Sequence, residues 1–183
     1  MRAIKLGVVS ILEGEAYNET KRMWRLFEEE YNSRAMQSFP HPHMSFQAGI
    51  SEDLQAIDLD LQKLTSQISP FPVAIGGIDI FEKPERVIFL SVTKTKELQK
   101  IHKKIDHLLQ EHCSRTFRFY SPPDWLPHIT LAQGDLTLNQ FRKAKKDLEN
   151  YHPHYKLILH NICLVRWYGQ DRKVRIHKKY VLG

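Results

Sequence analysis

The sequence predicts an α+β fold built by duplication, with two lobes sharing one core, and three observations carry that expectation. A proline-led tripeptide of the form His-x-Ser/Thr occurs twice, as Pro42-His43-Met44-Ser45-Phe46 and Pro127-His128-Ile129-Thr130-Leu131, 85 residues apart. Each copy is followed by a helical pattern and then by a long apolar strand pattern, and such self-similarity marks an internal repeat. No Gly/Ser-rich linker separates the halves, so residues 1–183 read as one domain of closely packed lobes rather than tethered units.

Residues 4–12 are apolar and β-branched, the mark of a buried strand. Residues 15–31 place Tyr17, Met23, Trp24, Leu26, Phe27 and Tyr31 among charges, which predicts an amphipathic helix. Pro40 and Pro42 forbid helix and favour extended chain ahead of a strand at 43–50. A second helix is expected over 53–68 with Ser51 as its N-cap. Strands at 71–81 and 86–92, joined by a turn at 82–85, close the first half.

The second half runs in the same order. Leu98, Ile101, Ile105, Leu108 and Leu109 predict a helix over 96–113. After the break at Ser121-Pro122-Pro123-Asp124 come a strand at 128–133 and a charged helix over 137–150. Strands over 155–168 and 173–181, around a turn at 169–171, complete the chain. With a one-residue slip, Phe71, Val73, Ile75, Ile78 and Ile80 fall opposite Tyr155, Leu157, Leu159, Ile162 and Leu164.

The repeated tripeptide carries chemistry because residues i and i+2 of a strand point to the same face. His43 and Ser45 project together, as do His128 and Thr130, while Met44 and Ile129 turn inward. A pseudo-twofold axis would bring two imidazoles and two hydroxyls to one groove. A phosphodiester on that axis meets one imidazole at its attacking oxygen and the other at its leaving oxygen. Histidine titrates near pH 6.5, so a neutral ring and a protonated ring can coexist as base and acid. Ser45 and Thr130 would donate to the non-bridging oxygens, where charge must be held. This scheme needs no metal and no cofactor.

On these residues the chain resembles the 2H phosphoesterase superfamily, and within it the 2′-5′ RNA ligase / RNA cyclic phosphodiesterase group. The similarity covers nearly the whole chain, with Ser45 replacing the commoner Thr of the first motif. The resemblance implies a bilobal fold with antiparallel sheets lining a central groove and helices packed outside. It also implies hydrolysis of 2′,3′-cyclic phosphates or 2′-linked ribonucleotides, with reversible 2′-5′ joining in some members. Many members place a basic residue soon after the second motif; here the strand continues Ala132-Gln133-Gly134. Phosphate charge must then be met from elsewhere.

Nucleotide ligands need aromatic faces beside the phosphate site, and Tyr120, Trp125 and Tyr168 lie close enough to the motifs to be expected there. The expected partner is an RNA end or nucleotide with a cyclic or 2′-linked phosphate. A formal charge of +6 suits such a partner. His41-Pro42-His43 and His152-Pro153-His154 could be zinc ligands, but no Cys or carboxylate joins them at ligand spacing. His102, His107 and His112 recur among lysines and read as a solvated helix face. Cys113 and Cys163 form no disulfide framework and read as buried thiols in a reducing cytoplasm. With no apolar run long enough to span a membrane, a soluble, cytoplasmic monomer is expected. The rival readings are a non-catalytic RNA- or nucleotide-binding module with the same groove, and a metal-dependent hydrolase.

Overall fold

The computed structural model describes residues 3–168 and 173–183; the turn expected at 169–171 lies outside them. In chain order the elements are β1 (Ile4–Ile11), α1 (Gly14–Tyr31), β2 (His43–Ser51), α2 (Leu54–Thr65), β3 (Phe71–Phe81), β4 (Val87–Val92) and α3 (Lys96–His112). They continue with β5 (Arg115–Thr116), β6 (His128–Gln133), α4 (Leu138–Asp147), β7 (Tyr155–Leu159), β8 (Asn161–Tyr168) and β9 (Lys173–Val181). The strands form one curled antiparallel sheet in the order β7-β3-β4-β6-β2-β1-β8-β9, with β5 added to β2. The expected α+β fold is therefore observed.

The helices end where local chemistry dictates. Asp53, not Ser51, caps α2 by accepting from Ala56 N at 2.9 Å. Ser51 is still in β2, where its hydroxyl donates to His112 O at 2.6 Å. Thr95 caps α3, Thr137 and Gln140 form a capping box on α4, and Asn32 closes α1 in the left-handed region at φ 51°. All four helices pack on one face of the sheet, in a core that includes Trp24, Phe27, Ile57, Leu61, Ile105, Leu109 and Phe141. The open face carries a smaller apolar cluster of Val9, Ile11, Phe39, Cys163 and Val165.

Two departures from the sequence reading matter. His102 does not sit on a solvated face. It falls on the same helical stripe as Leu98, Ile101, Ile105 and Leu109, is 1% exposed, and donates from Nε2 towards Phe46 O and Tyr120 O. The long strand expected over 155–168 is broken at His160. β7 pairs with β3 at one end of the sheet and β8 with β1 in the other half. Asn161 makes the break: its buried side-chain amide accepts from Ile11 N and donates to Ile11 O, both at 2.9 Å, imitating a strand partner.

The duplication is visible in the defects of the sheet as much as in its order. β2 has one unmatched residue against β1, Phe46, between the pairs Val9–Ser45 and Val8–Gln47. β6 has one against β4, Leu131, between Phe89–Thr130 and Ile88–Ala132. These bulges stand at equivalent places, directly after each hydroxyl, and bulges often re-aim side chains beside functional sites. A buried indole serves each of the two hydroxyl residues. Trp125 Nε1 donates to Ser45 O at 2.9 Å, and Trp24 Nε1 donates to Thr130 O at 3.1 Å. Trp24→Phe keeps the ring but removes the indole's hydrogen bond to the Thr130 carbonyl. It should cost about 1–3 kcal/mol of stability in denaturant unfolding; an unchanged midpoint would show that the bond contributes nothing.

Candidate active site

The two motif strands begin alike. Pro42 O accepts from Leu12 N at 2.9 Å, and Pro127 O accepts from Val92 N at 3.2 Å. β2 and β6 meet edge to edge through a single antiparallel pair, Met44–Ile129. That register sets His43 alongside Thr130 and Ser45 alongside His128, so each imidazole neighbours the other motif's hydroxyl. His43, Ser45, His128 and Thr130 are all half-buried on the open face, whereas Met44 and Ile129 are buried in the helix-side core. The structure thus brings together the four residues singled out in the sequence.

Both rings are held the same way. His43 Nδ1 lies 2.8 Å from His41 O, and His128 Nδ1 lies 2.7 Å from Leu126 O. A carbonyl oxygen can only accept, so Nδ1 carries the proton in each ring. Nε2 is then the atom that a neutral ring leaves free to take a proton. Burial pushes His43 down to about 4, with a smaller contribution from the charge of His128, and burial also lowers His128. Protonation of one ring therefore disfavours protonation of the other, as expected for two imidazoles sharing one site.

Aromatic edges brace these rings, and the sequence reading did not foresee them. Phe39 meets His43 edge-on at 5.1 Å; Phe81 and Phe89 flank His128 at 5.3 and 4.9 Å. Phe89 stands opposite Thr130 on β4 where Val9 stands opposite Ser45 on β1. Beyond Phe39 lies a cavity of about 470 Å³, bounded also by His41, Val174, Arg175 and Ile176.

The aromatic expectations divide. Tyr120 is at the site: its phenol lies beside the Ser45 side chain, and burial raises its pKa. Trp125 is not a groove-lining residue. It is 2% exposed, stacked on His102 at 3.9 Å, with its polar edge committed to the Ser45 carbonyl. Tyr168 also misses the groove. Along β8, Cys163 and Val165 belong to the open-face cluster with Trp167 packed against it, so alternation turns Tyr168 to the other side. There it lies against the guanidinium of Arg166 at 4.0 Å.

Among the described residues no three His, Cys, Asp or Glu side chains gather where a metal ion could be held. His41 packs against Phe39, and His152 lies against Gly77 on β3. No helix of the described chain is long and apolar enough to cross a membrane.

A curled antiparallel α+β sheet with two matched His-x-Ser/Thr strands meeting at its centre defines a class of two-histidine proteins. A model of the 2′-5′ RNA ligase superfamily matches residues 14–171. The chain belongs to that superfamily, in agreement with its resemblance to the 2H phosphoesterases. Among solved structures, E. coli LigT complexed with ATP is similar with a TM-score of 0.61 at 14% identity over 99% of each chain. E. coli LigT complexed with 3′-AMP gives 0.60 at 13% identity, over 100% of this chain and 99% of the other. TT0787 of Thermus thermophilus gives 0.59 at 15% identity over 97% of each. At these identities the likeness is one of fold. No curated protein matches the chain.

Proposed function

We propose that this protein is a metal-independent phosphoesterase that opens 2′,3′-cyclic phosphates or 2′-linked ribonucleotide phosphodiesters. His43 and His128 are the acid/base pair, and Ser45 and Thr130 clamp the phosphate. The observation that carries this reading is the matched tautomer: both rings spend Nδ1 on a backbone carbonyl and turn Nε2 free. In hydrolysis the neutral ring takes a proton from water as its oxygen attacks phosphorus. The P–O bond to the ribose breaks on the far side, and the protonated ring gives its proton to the leaving alkoxide. The deeper desolvation of His43 favours it as the base and His128 as the acid. E. coli LigT has been solved with 3′-AMP, a ligand of the class this reading requires.

The direct test is turnover of a nucleoside 2′,3′-cyclic phosphate with a chelator present. Conversion to a nucleoside monophosphate is expected. Binding without product would overturn the reading in favour of a nucleotide-binding module, and loss of turnover with the chelator would favour a metal-dependent enzyme.

The lowered histidines set the pH dependence. The working form has one ring protonated and one neutral, and both rings titrate below the ordinary 6.5. In the free enzyme that form grows as pH falls below 7, so kcat/KM should rise from pH 7.5 towards 6. A bound phosphate anion favours the imidazolium and lifts its pKa. The optimum of kcat should therefore lie at higher pH than that of kcat/KM. A kcat/KM that is flat or falls between pH 7.5 and 6 would contradict this account.

A further inference from the structure

We propose that the open face carries a second subsite, built from Lys5, Phe117 and Trp167, that binds a nucleotide of the RNA body away from the reacting phosphate. The enzyme's substrate is then an oligoribonucleotide of about four or more nucleotides rather than a mononucleotide. This rests on the phosphoesterase reading above.

The subsite follows from the register of β1. Lys5, Gly7, Val9 and Ile11 alternate onto one face, and Val9 and Ile11 belong to the open-face cluster. Val9 pairs with Ser45, so Lys5, four residues along the strand, stands about 13 Å from the motif hydroxyl. On one side the β1–β8 register brings Lys5 beside Trp167, one step beyond the Leu6–Arg166 pair. The indole lies across Gly7, where an added Cβ would meet its Cζ3 at 3.5 Å. On the other side β5 sets Arg115 opposite Ile50, and Phe117 N bonds Ala48 O at 2.9 Å. The chain then turns back, and Tyr120 reaches Ser45. Residues 115–120 thus run along the edge of β2 from Lys5 to the two histidines.

Lys5 Nζ sits 4.5 Å from the Trp167 ring centroid and 5.4 Å from that of Phe117, and the Arg115 guanidinium lies 5.8 Å from Phe117. Among the described residues neither Lys5 nor Arg115 has a carboxylate partner. An exposed ammonium held between two half-buried ring faces has the makings of a single-strand nucleotide site. A base takes a ring face, and the displaced cation turns to the adjoining phosphate. A stacked strand advances about 3.4 Å per nucleotide, so a mononucleotide at the histidines cannot reach this cradle.

The test compares a nucleoside 2′,3′-cyclic phosphate with a tetranucleotide ending in the same group, in wild type, Lys5→Glu and Trp167→Leu. Lys5 is exposed, so Lys5→Glu keeps the fold even if Trp167→Leu loosens it. Wild type should prefer the tetranucleotide in kcat/KM. Trp167→Leu should cut that preference by about fivefold to 100-fold, the effect of losing one stacked base, and Lys5→Glu should cut it by setting a carboxylate against the adjoining phosphate. Dissociation constants for a fluorescently labelled tetranucleotide should weaken to match, with a shallower salt dependence in Lys5→Glu. A wild type indifferent to length, or variants that lose both substrates equally, would overturn the subsite. If wild type turns over neither substrate, the phosphoesterase reading fails by itself, and the labelled RNA still decides the subsite: weaker binding in the variants supports it, and unchanged binding overturns it.

Discussion

Replacing either His43 or His128 by alanine should lower turnover of a 2′,3′-cyclic phosphate by about 100- to 10,000-fold. The expectation follows from the matched rings, each fixed through Nδ1 to a carbonyl two residues upstream and leaving Nε2 to the open face. The loss should fall on kcat, because proton transfer belongs to the transition state rather than to binding. The double variant should lose far less than the product of the single losses, since residues that act as a unit are not additive. Asparagine at either position can keep a polar contact but cannot exchange a proton near neutrality, and it should be as inactive as alanine. Full activity in both alanine variants would remove the chemistry from these residues altogether.

The second large effect is expected at the hydroxyls. Thr130→Val keeps the shape of the side chain and removes its donor, and should lower kcat by about 100-fold or more if the hydroxyl holds charge on the phosphate. Thr130→Ser and Ser45→Thr exchange the two motifs' hydroxyls and should keep most activity. Ser45→Ala should be the more damaging of the truncations, because it also removes the hydroxyl that neighbours the Tyr120 phenol. Unaltered kcat in Thr130→Val would leave Thr130 a packing residue opposite Phe89.

The site itself was legible because its logic is local. The i, i+2 geometry of a strand predicts that His43 shares a face with Ser45 and His128 with Thr130, and the burial pattern follows it. The duplication was legible in the 85-residue offset, which also relates the carbonyls that hold the rings and the bulges that follow the hydroxyls. What stayed hidden depends on which way a two-sided strand faces. β8 is buried on both sides from Asn161 to Val165, so apolar periodicity carries no phase. The choice between Trp167 and Tyr168 could not be made without the Gly7–Val165 register. Trp125 misled for a related reason. Its place near His128 points to substrate, but the buried indole spends its N–H on the Ser45 carbonyl. Likewise the 155–168 pattern gave no hint of a break, because the signal is one polar residue, Asn161, whose side chain imitates backbone.

The most direct test is the structure of the protein with a bound 2′- or 3′-nucleotide, the product of the proposed reaction. The account predicts one phosphate on the open face, within hydrogen-bonding distance of Nε2 of both His43 and His128 and of the hydroxyls of Ser45 and Thr130. A phosphate that touches only one of the two motifs, or binds elsewhere on the sheet, would contradict it.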